Sequence, residues 1–211
     1  MTEMTMKKSR ISTHELVYCA MFVALMAVGA FIKIMLPIGP FAVTFSLQFF
    51  FALLAGFILG SSLGGLSVTV YLIVGLCGIP IFAHGGGPAY LLKPTFGFLI
   101  GFAAAAFIAG FVKERLKSTG FAAYLFAAFI GEMAYYFCGL VYYYIMFNFL
   151  VNTDGASIGV VELIQVWFLS TVVPDFVLCI LAAAVAMKLK KALKNTDLLL
   201  DNIGKNRKSA R

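Results

Sequence analysis

Charged residues are scarce in this sequence, and no polar stretch is long enough to build a separate water-soluble domain. Only 12% of the 211 residues are charged and 62% are hydrophobic, with a mean hydropathy of +0.99. A soluble domain of ordinary composition is about half apolar and about a quarter charged. The composition therefore excludes a soluble globular protein and predicts an integral membrane protein.

Motifs that carry chemistry are also missing. No G-x-x-x-x-G-K-[ST] phosphate-binding loop occurs, so the chain is not expected to hydrolyse ATP by itself. The two histidines, His14 and His84, are predicted near opposite membrane faces, which excludes a histidine-based metal site. The four cysteines lie far apart in apolar segments, in neither a disulfide framework nor a zinc-binding pattern. The sequence thus predicts neither an enzyme nor a bound cofactor or metal.

Apolar runs make up most of the chain. A membrane-spanning helix needs about 20 apolar residues, and we identify six such segments, at residues 16–36, 43–59, 63–79, 94–112, 121–151 and 163–187. They predict an all-α fold, an integral membrane bundle of six transmembrane helices. Residues 1–211 would form a single transmembrane domain with short basic tails at about 1–15 and 188–211.

Basic residues are concentrated on one side of the predicted bundle. Three precede the first helix, three lie between the fourth and fifth, and eight follow the sixth. By the positive-inside rule this side is cytoplasmic, which predicts a multi-pass protein of the cell membrane with both termini cytoplasmic. The loops at 78–93 and 152–162 then face outward. Lys33 and Lys93 lie on that outer side and could attract an anionic solute, although Lys33 could equally snorkel to the interface.

A glycine-rich loop lies between the third and fourth predicted helices, within residues 78–101. Three consecutive glycines at 85–87 allow positive φ angles and a close approach of the backbone to another group. Flexible linkers rely on Gly and Ser, whereas this loop also contains Phe82, His84 and Tyr90. The composition indicates a lid or a pocket wall, with Gly86 and Gly87 as candidate ligand-contacting positions. The alternative is a tight re-entrant turn without a ligand.

Ionisable and polar groups at membrane depth are the other candidates for a binding site. Asp175 lies near the middle of the sixth predicted helix, Glu132 lies inside the fifth, and Gln48 lies on the second. Such groups are costly in a bilayer and are functional candidates by default. A carboxylate only accepts hydrogen bonds, so Asp175 suits a ligand with N–H donors. Either acid could instead be protonated and bonded to a neighbouring helix, and the tyrosines at 135–144 could line a pocket or form an interfacial belt.

Four segments of the chain carry a family resemblance. They are residues 40–48 (PFAVTFSLQ) with 54–60 (LAGFILG), residues 75–83 (GLCGIPIFA), residues 93–102 (KPTFGFLIGF) and Val173-Pro174-Asp175. Together they resemble the BioY family, the biotin-binding S components of energy-coupling factor (ECF) transporters. The similarity extends over nearly all six predicted helices.

This resemblance implies a six-helix bundle that binds biotin near its outer face. Asp175 would accept hydrogen bonds from the ureido ring, and the glycine-rich loop would close over the ligand. Ala20 and Ala24 match the small-residue motif with which S components dock on a transmembrane T component. Two ATPase subunits would supply energy, in keeping with a chain that has no nucleotide site.

The sequence departs from the family pattern beside the aspartate. Many BioY sequences have a lysine three residues further on, where this chain has Leu178, and the glycine before the aspartate is missing. Lys93 is our candidate for a replacement cation. The alternatives are an S component for another small vitamin, or a self-sufficient secondary transporter with Glu132 and Asp175 as proton sites, although no inverted repeat is evident.

Overall fold

The computed structural model describes residues 13–38, 41–116, 118–151 and 158–209 of the chain. In this part the helices are α1 Thr13–Phe31, α2 Gln48–Leu59, α3 Ser61–Leu76, α4 Phe96–Leu116, α5 Phe121–Ile145, α6 Val160–Leu163 and α7 Val172–Ser209. Two strands, β1 Lys33–Ile38 and β2 Phe41–Ser46, form an antiparallel hairpin. Single π-helical segments follow α5 and α6, at Met146–Val151 and Ile164–Leu169, and a 3₁₀ helix Pro88–Leu92 precedes α4.

Membrane-length helices dominate the described part of the chain. Four helical segments are long and apolar enough to cross a bilayer, namely α1, α4, α5 extended to Leu150, and the first 22 residues of α7. The prediction of a predominantly helical membrane protein is confirmed. α2 has 12 residues, or about 18 Å of helix, which is shorter than a bilayer core of about 30 Å. The count of six spans therefore stays a prediction.

Close contacts between helix backbones hold the bundle together around α4. A Cβ atom added at Gly56 of α2 would lie 2.1 Å from the carbonyl oxygen of Ala106 in α4. A Cβ added at Gly64 of α3 would lie 2.6 Å from the Cα of Gly56. In lipid, where the hydrophobic drive between helices is weak, such contacts supply van der Waals attraction. Gly56 and Gly64 thus mark the points at which α2, α3 and α4 touch at their backbones.

The hairpin corrects the predicted boundaries of the first two helices. Residues 32–36 and 43–47 were expected to be helical, but α1 ends at Phe31 and α2 begins at Gln48. The strands pair from Lys33 opposite Ser46 to Ile38 opposite Phe41. β-Branched and aromatic residues favour this extended form. Pro37 also opposes a helix, because it has no N–H to donate and would clash with the preceding turn.

The sixth predicted helix, residues 163–187, is not continuous. The segment ending at Leu169 is followed by a turn at Ser170 and Thr171, and α7 begins at Val172. Pro174 is tolerated there because the N–H groups of a helix's first turn have no intrahelical partner. Asp175 is therefore in the first turn of α7, not in the middle of a helix.

The predicted tails and the loop predicted at 152–162 lie only partly within the described residues. α7 continues to Ser209, so the C-terminal tail expected at 188–211 is helical over most of its length. Residues 1–12 of the N-terminal tail and residues 152–157 of the loop at 152–162 lie outside the described part of the chain. Predictions that fall on those residues stay predictions.

We expect Gly56→Val to lower the thermal stability of the detergent-purified protein. The new side chain would meet a backbone carbonyl that cannot move without shifting α4, and overpacking of this kind costs about 1–3 kcal/mol. Gly159→Ala is the control, because a Cβ at Gly159 meets no atom within 4 Å. Equal melting temperatures for both variants would contradict the packing described here.

Candidate functional site

A cavity of about 200 Å³ lies between the hairpin, the glycine-rich loop, α2, α4, α5 and the start of α7. Its wall is aromatic over a large part, with Phe49, Phe98, Phe102, Tyr135 and Trp167. Polar side chains interrupt this wall at eight positions, namely Thr44, Ser46, Gln48, His84, Lys93, Thr95, Thr171 and Asp175. An apolar wall with a few placed polar groups is the usual form of a small-molecule site.

The carboxyl group of Asp175 is held at the start of α7. Its side chain is 5% exposed, and its Oδ2 lies 2.7 Å from the hydroxyl oxygen of Tyr136 on α5. The Tyr136 hydroxyl is also 2.8 Å from Oγ1 of Thr171. Thr171 in turn bonds to the carbonyl oxygen of Trp167. Tyr136 on α5, itself bonded to Thr171 in the turn before α7, thus holds the carboxyl group in position.

Lys93 of the glycine-rich loop brings positive charge to the cavity, and Lys33 of the hairpin lies beside that loop. Lys93 Nζ lies 4.2 Å from the ring centroid of Tyr90 and 3.4 Å from the carbonyl oxygen of His84, to which it donates. Lys33 donates to the carbonyl oxygen of Ala83. Partial desolvation, together with the charges of Lys33 and Lys93, lowers the pKa of His84. The imidazole is therefore neutral at pH 7, and the two lysines supply the positive charge.

A buried chain of hydrogen bonds joins the walls of the cavity. Ser46 Oγ donates to Gln48 Oε1 over 3.0 Å, and Gln48 Nε2 donates to the Tyr71 hydroxyl over 2.6 Å. Tyr71, which is fully buried, donates to the carbonyl oxygen of Ile81 over 2.7 Å. The hairpin, α2, α3 and the glycine-rich loop are thereby connected through side chains.

Glycines give the loop its path over the cavity. Gly85 and Gly87 have φ angles of 107° and 97°, in a region that residues with a Cβ rarely adopt. A Cβ at Gly86 would lie 2.3 Å from the carbonyl oxygen of Ile79. Phe82, which is 1% exposed, anchors the loop in the core against the Tyr71 and Tyr90 rings.

Comparison with known proteins places the chain in a family. The profile of the BioY family matches residues 4–195. The chain belongs to the BioY family. The resemblance inferred from the sequence is thereby confirmed.

Relatives within the BioY family match over most of their length. The probable biotin transporter BioY of Lysinibacillus sphaericus is 42% identical over 184 residues, covering 87% of this chain and 90% of the relative. The biotin transporter BioY of Thermotoga maritima is 37% identical, covering 84% and 96%. Among solved structures, the S-component for biotin from an ECF-type ABC transporter matches with a TM-score of 0.72 and 26% identity, over 84% of this chain and 91% of that one.

Five of the residues expected at a BioY ligand site line the one cavity described above, namely Gln48, His84, Tyr90, Lys93 and Asp175. Gly86 and Gly87 are not part of its lining and instead shape the loop. Glu132 is fully buried outside the lining, where its Oε2 accepts a hydrogen bond from the Cys179 thiol over 3.5 Å. That these residues contact a ligand stays a prediction.

Several lining residues were not identified from the sequence. Trp167 and Thr171 precede Asp175 by eight and four residues, a spacing that would place all three side chains on one face of the helix predicted at 163–187. That signal was available. Ser46 and Thr44 enter the site only because β1 and β2 pair, and pairing between strands leaves no comparable local signal.

We expect Tyr71→Phe to destabilise the folded protein by about 1–3 kcal/mol, because it leaves Gln48 and the Ile81 carbonyl without their shared partner. Tyr124→Phe is the matched control, since Tyr124 is also buried and no hydrogen bond to its hydroxyl is found within the described residues. Thermal unfolding in detergent measures both. A Tyr71→Phe variant as stable as the control would show that the chain of bonds contributes nothing.

Proposed function

We propose that this chain is the biotin-binding membrane S component of an ECF transporter. The observation that carries the proposal is a single, largely aromatic cavity lined by both a buried carboxyl group, Asp175, and an ammonium group, Lys93. Biotin has ureido N–H donors at one end, a carboxylate at the other and an apolar body between them. The chemistry of the lining matches each of these parts. The names of the relatives and of the similar solved structure support the same ligand.

Uptake in this proposal depends on partner subunits. A transmembrane T component and two ATPase subunits form the complete transporter, in keeping with a sequence that contains no phosphate-binding loop. Ala20 and Ala24 are both exposed on α1, where small side chains allow another helix to approach closely. They are the candidate docking positions for the T component.

The protein is proposed to lie in the plasma membrane with both termini cytoplasmic. Basic residues near the end of α4 and along α7 support this orientation, because Lys113 and Lys190 are near enough to repel each other. Basic residues gathered at one end of the bundle support a cytoplasmic location for that end by the positive-inside rule. The glycine-rich loop then faces outward, where it meets the solute.

Two alternatives make different predictions in reconstituted vesicles. An S component for another vitamin would bind that vitamin in preference to biotin, and Leu178 in place of a lysine leaves room for this reading. A secondary transporter would carry solute alone under a proton gradient. The position of Glu132 outside the cavity lining argues against it. Uptake only with T component, ATPase subunits and ATP would support the S-component proposal.

The first test is isothermal titration of the detergent-purified protein with biotin. We expect saturable binding by the wild type and a loss of about tenfold in affinity for Asp175→Ala, because a buried N–H donor of the ligand left without its acceptor costs about 1–3 kcal/mol. Glu162→Ala, which removes an exposed acid, is the control and should bind as the wild type does. A folded wild type that does not bind biotin would refute the assignment.

A second test concerns Lys93 as the partner of the ligand's carboxylate. We expect Lys93→Met to weaken biotin binding by about tenfold or more, and to weaken binding of biotin methyl ester much less. The ester has no anionic group for the ammonium to bind. Lys190→Met, which removes an exposed lysine outside the cavity, is the control. Equal losses for acid and ester would show that Lys93 acts on something other than the carboxylate.

A further inference from the structure

Asp175 stands at the end of a continuous chain of oxygen atoms. Its Oδ2 lies 2.7 Å from the Tyr136 hydroxyl, which lies 2.8 Å from Thr171 Oγ1. Thr171 Oγ1 is in turn in close contact with the carbonyl oxygen of Trp167. Oxygen atoms at such distances repel each other unless a proton lies between them. The three contacts therefore need three protons.

Two hydroxyl groups can supply only two of these protons. The Trp167 carbonyl has none to give, so the Thr171 proton must point at it. The Tyr136 proton must then serve the contact with Thr171, because the Thr171 proton is already used. If Tyr136 instead donated to an ionised Asp175, its 2.8 Å contact with Thr171 would have no proton. The third proton is accounted for only if it belongs to the carboxyl group of Asp175.

The charges around Asp175 point the same way. No ion pair to its carboxyl group is found among the described side chains, and the residue one turn later is the apolar Leu178. The ammonium group of Lys93 lies over Tyr90 and bonds to the His84 carbonyl. A carboxylate buried without a cation is costly enough that the group takes up a proton instead.

The other titratable groups near Asp175 do not offset this cost. Tyr135 and Glu132 face it from α5, and Cys179 lies on its own helix, while neutral His84 lines the same cavity. Glu132, if ionised, would only raise the cost of a second negative charge. The N-terminus of α7 favours an anion, but its effect is smaller than the desolvation cost of an unpaired buried carboxylate.

We propose that Asp175 is a neutral carboxylic acid, whose O–H group donates a hydrogen bond to the Tyr136 hydroxyl and whose other oxygen accepts one from an N–H group of the ligand. This rests on the proposed function and adds a rule of selection to it. A neutral acceptor suits an uncharged urea or amide N–H and gives no electrostatic advantage to a cation. Tyr136 and Thr171 are positioning residues in this scheme, since they hold the acid in its protonated form.

Infrared difference spectroscopy of the ligand-free protein tests the protonation state directly. We expect Asp175→Asn to remove a carbonyl-stretching band of a protonated carboxylic acid at neutral pH. Glu132→Gln should remove a different band or none. If Asp175→Asn does not fold, Tyr136→Phe serves instead, because loss of its acceptor would shift the frequency of the Asp175 band. Loss of a carboxylate band in the Asp175 variant, or an unshifted acid spectrum in Tyr136→Phe, would overturn the proposal.

A pair of ligands tests the selection rule. In 2-iminobiotin the ureido group is replaced by a guanidinium group, which is cationic at neutral pH. We measure the ratio of the dissociation constants of biotin and 2-iminobiotin in the wild type and in Asp175→Asn. If Asp175 is neutral, this ratio should differ by less than about tenfold between the two proteins, since neither side chain is charged. A larger relative loss of 2-iminobiotin affinity would show that the wild-type group is ionised. If the wild type binds neither ligand, the proposed function fails, and the infrared result still decides the protonation state.

Discussion

A polar group buried away from water has to find its partner inside the protein, and in a membrane this requirement is severe. For Gln48 and Asp175 the chain meets it by joining elements that are distant in sequence, whereas Glu132 Oε1 and Trp167 Nε1 have no such partner among the described residues. Tyr71 links Gln48 on α2 to the glycine-rich loop at Ile81. Tyr136 on α5 similarly reaches the turn before α7 and the first turn of that helix. Both tyrosines satisfy polar groups at the cavity, so the same bonds that stabilise the fold also position the site.

The shape of the glycine-rich loop is set both by its glycines and by contacts with neighbouring elements. Positive φ angles at Gly85 and Gly87 let the backbone turn above the cavity. Phe82 then anchors the turn in the aromatic core, while Lys33 binds a loop carbonyl from the neighbouring hairpin. The loop is thus a shaped wall with defined attachments, and it differs from a flexible linker in physical terms.

Charge is distributed unevenly around the cavity, and this asymmetry agrees with a solute that is anionic at one end. Two lysines, on the glycine-rich loop and the hairpin, provide cations, whereas the carboxyl group in the first turn of α7 has no cation bound to it among the described residues. The residue one turn after Asp175, where the sequence comparison led us to expect a lysine, is Leu178. The neutral Asp175 proposed above would need no lysine at that position.

The sequence by itself determined the membrane class, the helical content and the family, because apolar length, charge sidedness and short motifs are local properties of a chain. It also identified five residues that share the cavity, since polar groups at membrane depth are rare enough to be noticed. Only the tertiary structure decided that residues 33–38 and 41–46 pair as antiparallel strands and that the sixth predicted helix breaks before Asp175. It also separated Glu132 from the cavity and brought Ser46, Tyr136 and Thr171 to their places. Strand pairing and side-chain bonds across elements depend on long-range contacts, and a local pattern does not specify which partners will meet.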